Sequence, residues 1–149
     1  MAFDTPAILL RLETVLKGLA AMPTLSDGGK AVFLGHPMEP KALLNAYVML
    51  GDQRLPDKAA GVVRRDALVT VKLAYRTAGD VRAAELAMAA VIDQFTAAFY
   101  AERRADMGGV VASCAIDLSA NRTALYELIG GSECRIYLLL ITATQQQNV

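Results

Sequence analysis

The strongest constraint on the fold comes from residues 136–141, a run of six apolar side chains (IYLLLI) followed directly by the polar sequence TATQQQNV. A strand with one buried face needs apolar side chains only at alternate positions, because successive side chains point to opposite sides of a sheet. This run supplies apolar groups to both sides. We therefore predict a strand over residues 134–144 whose second face is sealed by another protein molecule.

Two other segments have the periodicity of amphipathic helices. In residues 5–19 the apolar side chains recur at helical spacing, Thr5 is a suitable N-cap, and Pro6 suits the first helical position. The apolar sector of this segment is broader than one packing surface requires. In residues 81–104 an apolar stripe lies beside many alanines, and Asp80 is a suitable cap for the helix.

Strand patterns occupy most of the remaining chain. The clearest is residues 68–75, where apolar side chains alternate with a mixed set, so that one face is apolar. The other predicted strands are residues 31–34, 46–50, 110–118 and 134–144, with a short strand or helical turn within 119–133 and a polar connection over 51–61. This order predicts an α+β fold: one mostly antiparallel twisted sheet, with an N-terminal helix and a long central helix packed on it. At 149 residues the chain is expected to form a single domain, residues 1–149.

Composition and motifs argue against several classes of function. The 15 basic and 15 acidic residues balance, whereas a dedicated nucleic-acid-binding protein usually has a basic excess on one face. The Gly28-Gly29-Lys30 sequence lacks the other residues of a phosphate-binding loop. The single histidine and the two separated cysteines form no metal or nucleophile motif. We therefore predict no catalytic site, no cofactor, no metal site and no enzymatic activity.

The sequence also bears on localisation and self-association. No apolar run approaches the roughly 20 residues that a membrane helix needs. Asp4, Arg11 and Glu13 interrupt the N-terminal segment where a signal peptide would be apolar, so we expect a cytoplasmic protein. Zero net charge leaves little long-range repulsion between copies. The excess apolar surface on the first helix and the last strand then favours subunit contact.

Three segments together resemble the tail terminator (minor tail protein U-like) family of long-tailed bacteriophages. They are the helix TPAILLRLETVLKGL (5–19), the strand-to-helix passage LVTVKLAYRTAGDVRAAELAMAAVIDQF (68–95) and the closing strand CRIYLLLITATQQQN (134–148). In that family, and in related tail-completion proteins, a similar strand runs through a Gly-Asp turn into a long alanine-rich helix, and a C-terminal strand follows. The resemblance is one of pattern and order, and it covers most of the chain.

The resemblance implies a structural virion protein that caps the tail tube as a homohexameric ring. Such a ring ends tube polymerisation and forms the surface to which the filled head joins. The implied partners are other copies of the chain, the tail tube protein and a head–tail connector protein, with DNA only as cargo passing through the lumen and no membrane. The protein would be assembled in the host cytoplasm and would reside in the tail or neck of the virion.

Two sets of residues are candidate contacts in this interpretation. The subunit contacts are predicted in the two apolar surfaces, at Ile8, Leu12, Tyr137 and Leu139. Contacts with the tube or the connector are predicted in and beside the polar connection, because long polar loops between strands often carry recognition. These residues are Asp52, Arg54, Asp57, Lys58, Arg64 and Arg65.

Two alternatives remain open at the level of the sequence. One is a head–tail connector, a stopper or another tail-completion protein from the same machinery. The other is a small cytosolic ligand-binding α+β module with a pocket between the long helix and the sheet. A monomer in solution that binds a small metabolite would favour this second alternative.

Overall fold

The computed structural model describes residues 3–36, 39–54, 57–59, 61–117 and 125–148, and the side chains of all of these except residues 57–59. Parts of the sequence predictions for residues 51–61 and 118–133 lie outside the described residues. The predicted contacts Asp57 and Lys58 are described only as backbone.

Two helices of more than one turn begin at carboxylate caps. Helix α1 spans Thr5–Lys17, and its cap is Asp4, whose side chain accepts the Ala7 N–H at 3.1 Å. The sequence placed the cap at Thr5, one residue too late. Helix α2 spans Val81–Arg104 and begins, as predicted, at Asp80, which accepts the Ala83 N–H at 3.0 Å. A single turn, α3 (Asp106–Gly109), follows it.

Most of the strands described are longer than the sequence patterns predict, whereas the strands predicted to begin at residues 31 and 110 begin at Val32 and Ser113. They are β1 Val32–Leu34, β2 Leu44–Gln53, β3 Asp57–Ala59, β4 Val62–Arg76, β5 Ser113–Asp117, β6 Leu125–Ile129 and β7 Ser132–Asn148. The prediction of a polar connection over residues 51–61 is wrong for its described part, because β2 continues to Gln53 and a third strand begins at Asp57. Hydrogen bonding to the backbone of β4 holds these polar residues in an extended conformation.

The two longest strands form the centre of one seven-stranded sheet. Strands β4 and β7 pair antiparallel from Val62 opposite Asn148 to Arg76 opposite Cys134. The other side of β4 pairs with β2 and β3, and the other side of β7 pairs with β5 and β6. Strand β1 pairs with the other side of β2, and this is the one parallel pairing among the described strands. The predicted α+β class, with a mostly antiparallel sheet, is confirmed.

The main hydrophobic core lies between the helices and one face of this sheet. The predicted apolar face of β4 belongs to it, and α1 and α2 cover it together. Arg11 of α1 also donates to both carboxylate oxygens of Glu102 of α2, at 2.6 and 3.1 Å, which links the two helices. Among the described residues no helix has both the length and the apolarity needed to cross a membrane.

Three of the predicted subunit contacts lie inside this core. Ile8, Leu12 and Leu139 each have 0% of their surface exposed. Helix α1 packs Ile8 and Leu12 on the sheet, and Leu139 of β7 points toward the helices. A side chain enclosed by its own chain has no surface to offer a second subunit. Their assignment as subunit contacts is therefore corrected. Tyr137 is half-buried at the margin of the core.

The opposite face of the sheet, here called the open face, carries a smaller apolar cluster. Tyr47, Ala74, Ile129, Cys134 and Ile136 form it, so the chain itself covers the beginning of the run at 136–141. Further along the same face, two leucines of β7, at positions 138 and 140, stay half-buried. The prediction that another molecule seals the second face of the last strand is thus wrong for its first part.

Candidate assembly surfaces

Asp52 and Arg54 are the two predicted contacts of the polar sequence whose side chains are described, and both are exposed at the end of β2. The Arg54 guanidinium lies 3.5 Å from the Asp66 carboxylate, whose other oxygen accepts the Thr144 hydroxyl at 2.8 Å. An ion pair this exposed contributes little to stability. The Arg54 side chain, 65% exposed, is therefore available to a partner.

The adjacent basic pair on β4 has two different environments, because neighbouring strand residues point to opposite faces. Arg64 is exposed, as a contact residue must be. Arg65 donates to the Thr5 hydroxyl at 2.9 Å and to the Gln145 side-chain oxygen at 3.3 Å, and it lies 4.4 Å from the centre of the Phe3 ring. Arg65 thus connects the start of α1 to the sheet. Its guanidinium is bound within its own chain, so the prediction that it contacts a partner is not supported.

A groove of ≈ 300 Å³ on the open face brings two predicted features together. Asp52 and Arg54 line it on the β2 side, and Leu140 and Thr142 of β7 line it as well. The polar end of β2 and the second face of the last strand thus share one concave surface. Its mixed lining of charges and half-buried apolar side chains suits contact with another protein surface.

A polar cluster lies on the open face near the opposite end of β7. The Lys72 ammonium, on a residue only 8% exposed, lies 2.6 Å from the Glu127 carboxylate and 3.2 Å from Nε2 of His36. The His36 ring stacks on Tyr47 with 4.4 Å between ring centres. The Glu127 carboxylate compensates the charge of Lys72, so we interpret the two residues as a structural ion pair.

Burial is the main cause of the raised pKa values of one tyrosine and of both cysteines. It raises the pKa of Tyr47 to about 12, with a smaller contribution in the same direction from Cys134 and an opposing one from Arg76. Burial also raises the pKa of the Cys114 and Cys134 thiols. A thiol that stays protonated is a weak nucleophile and a weak metal ligand. Within the described ranges, no three His, Cys, Asp or Glu side chains are grouped so that they could hold a metal ion.

Two exposed apolar surfaces lie at opposite ends of the sheet. The first, here called the β6 edge, consists of Leu125, Tyr126 and Leu128, which are 38%, 49% and 72% exposed. The second, here called the β1 groove, is an open concavity of ≈ 640 Å³ beside β1. Its lining is Pro23, Thr24, Leu25, Ser26, Asp27, Phe33, Lys41, Ala42 and Leu43.

Sequence reasoning missed both of these surfaces, although one signal was present. The sequence LYELIGG at residues 125–131 combines alternating apolar residues with a Gly-Gly turn, which is typical of a hairpin strand. The β1 groove has no such signal, because its lining joins three separate stretches of chain.

Comparison with known proteins adds no relative to this description. No protein-family model matches the chain, and no curated protein matches it.

Proposed function

We propose that this chain is a structural protein of a long-tailed bacteriophage that caps the tail tube as a ring, ends tube polymerisation and provides the surface for head joining. The three segments that resemble tail terminators lie in α1, in the passage from β4 to α2 and in β7. These elements build the centre of the sheet and its helical layer. The resemblance thus concerns the framework of the fold.

The observation that carries the proposal is the separation of the two exposed apolar surfaces. Strands β2, β4 and β7 lie between β1 and β6. At about 4.8 Å between neighbouring strands, the two ends of the sheet are about 19 Å apart. A ring needs two different patches on each subunit, one for each neighbour. The β6 edge and the β1 groove meet that requirement.

The open face supplies a third surface for the tube or the connector. The groove beside Asp52 and Arg54 lies away from the helical layer, with Arg64 exposed on the neighbouring strand. A ring whose subunits meet through the ends of their sheets leaves such a face accessible. In this role the protein works by binding, with no reaction at any of its side chains.

The test is electron microscopy of the purified protein with tail tubes from a phage that encodes it, together with infection by a phage lacking the gene. We expect rings at tube ends and, without the gene, tails of uncontrolled length. Tails of normal length with heads that leak DNA would assign the chain to the connector or stopper instead. A protein that neither self-associates nor binds tube ends would overturn the proposal.

A further inference from the structure

One side of strand β6 has no strand partner within the described part of the chain. Strand β6 pairs only with β7 among the described strands, through a turn at Gly130-Gly131 in which both residues have positive φ, 57° and 79°. In a two-residue hairpin the residues next to the turn exchange hydrogen bonds, and bonded pairs alternate from there. Tyr126 and Leu128 therefore direct their N–H and C=O groups away from β7.

The same two residues expose their side chains. Leu128, at 72%, is the most exposed large apolar side chain of the described residues, and Tyr126 is 49% exposed. Soluble proteins usually protect a sheet edge with lysine, proline or a bulge. Strand β6 contains neither lysine nor proline, and its register with β7 is continuous over residues 125–129. Its one charged side chain, Glu127, is paired with Lys72. An exposed apolar edge without these features is a template for pairing with another chain.

The β6 edge has an exposed carboxylate beside it, and the β1 groove contains an exposed ammonium group of opposite charge. Glu133 lies directly across from Leu128 in the register, is exposed, and has no ion pair within the described part of the chain. Lys41 is exposed in the β1 groove and is likewise unpaired among the residues described. The one carboxylate of that lining, Asp27, accepts the Gly29 N–H at 2.8 Å.

We propose that the β6 edge of one copy docks in the β1 groove of the next copy. Leu128 and Tyr126 then pack against the apolar lining that includes Leu43, and Glu133 faces Lys41. Each copy gives its edge to one neighbour and its groove to the other, so the contact repeats around a ring. This inference rests on the proposed function and identifies the surfaces by which that function is carried out.

A single contact of this kind is small. One five-residue strand and a few side chains bury less than the roughly 800 Å² per partner of a standard stable interface. Isolated dimers should therefore be weak, whereas a closed ring, or a ring templated on a tube end, gains every contact at once. Assembly should depend steeply on protein concentration.

The decisive experiment mixes two variants that each lose one surface. Leu128→Asp blocks the edge and Leu43→Asp blocks the groove, and both positions are at least half exposed, so folding should be kept. Neither variant alone should form rings. Mixed at high protein concentration, where one weak contact is populated, they should form a 1:1 heterodimer through the one intact edge and the one intact groove, and sedimentation velocity should show it more abundantly in the mixture than in either variant alone. Dimers of Leu43→Asp alone would instead indicate edge-to-edge pairing and overturn the inference.

A charge exchange tests the same contact without changing its apolar part. Glu133→Lys and Lys41→Glu should each weaken assembly by about fivefold, the size of a coupling near 1 kcal/mol, and the double variant should restore it. Asp93→Lys, at an exposed carboxylate on α2, is the matched control and should assemble normally. Equal loss in the double variant would place the two charges in different contacts and overturn the pairing of the two surfaces.

The two levels of the proposal fail separately. If the wild-type protein forms rings, alone or on tail tubes, and Leu128→Asp forms them equally well, the docking inference is wrong and the proposed function stands. If the wild-type protein forms no ring and caps no tube at any concentration, the proposed function itself is wrong.

Discussion

Lys72 of β4 and Glu127 of β6 form an ion pair across the intervening strand β7, with 2.6 Å between Nζ and the carboxylate oxygen. The lysine side chain is 10% exposed and the glutamate side chain is 48% exposed. Strand β6 is otherwise held by its pairing with β7 and by the small apolar cluster on the open face. The ion pair thus supports the strand that we propose as the docking edge.

Removing either partner of this pair should have unequal effects. Glu127→Gln leaves a nearly buried ammonium without its carboxylate, and we expect a loss of about 1–2 kcal/mol in the free energy of unfolding. Lys72→Met removes the charge and keeps the volume, so its cost should be smaller. Urea denaturation of the two variants measures the difference. A larger loss for Lys72→Met would contradict the assignment of the lysine as the desolvated partner.

The hydroxyl of Tyr47 is a second test of the open face. Its oxygen is buried and has no hydrogen-bond partner within the described residues. An unsatisfied buried polar group is unfavourable, so Tyr47→Phe should leave stability unchanged or raise it by about 1 kcal/mol. Thermal and urea unfolding would show this. A loss beyond that margin would mean that the hydroxyl has a partner in solution.

The same residue predicts how stability depends on alkaline pH. Burial raises the pKa of Tyr47 to about 12, whereas an unfolded tyrosine titrates near 10. The folded chain therefore binds the hydroxyl proton of Tyr47 more tightly than the unfolded chain does. The stability that comes from this difference is fully present below about pH 10 and is lost as the pH rises toward 12. This difference between the folded and unfolded pKa values corresponds to about 3 kcal/mol in the free energy of unfolding.

Tyr47→Phe should remove the tyrosine part of this alkaline loss, measured as unfolding free energy against pH from 8 to 12. The buried thiols of Cys114 and Cys134, whose pKa values are also raised, would leave a separate loss of stability that begins at lower pH. Tyr100→Phe, at a tyrosine 49% exposed on α2, is the control and should keep the full loss.

The corrected subunit contacts give a clear stability test. Leu139→Ala and Leu12→Ala each remove a fully buried side chain from the main core, and each should cost about 2–5 kcal/mol in unfolding free energy. Leu128→Ala, on an exposed side chain, should change monomer stability by about 0.5 kcal/mol or less and should weaken assembly. The reverse ranking would return Leu12 and Leu139 to the interface.

Much of the fold follows from local patterns. The alternation in residues 68–75 identifies both faces of β4, because one face packs on the helices and the other carries the mixed set with Lys72. The caps and periodicity of residues 81–104 give α2 its observed bounds. These elements are long and their patterns repeat, so each prediction rests on many residues.

The candidate surfaces could not be predicted from any single segment of the sequence, because they are formed by the packing of several segments. The broad apolar sector of α1 suggested spare surface at Ile8 and Leu12, yet these two lie on the stripe that faces the sheet. Which part of a wide sector is buried depends on the partner layer. The β1 groove joins stretches distant in sequence, so only the folded chain reveals it.

The last prediction concerns the surface that meets the tube. Arg54→Glu combined with Lys58→Glu should leave ring formation intact and reduce tube capping at least tenfold, because charge reversal at a recognition surface acts against the partner and barely affects the fold. Capped tube ends counted by negative-stain microscopy give the measurement. Asp66→Asn separates the two roles of Arg54, since it removes the 3.5 Å ion pair and keeps the exposed guanidinium, so capping should persist. Arg82→Glu with Arg104→Glu, both exposed on α2, applies the same charge change elsewhere. If the Arg54 and Lys58 variant caps tubes as well as this control, the tube-facing surface lies elsewhere on the ring.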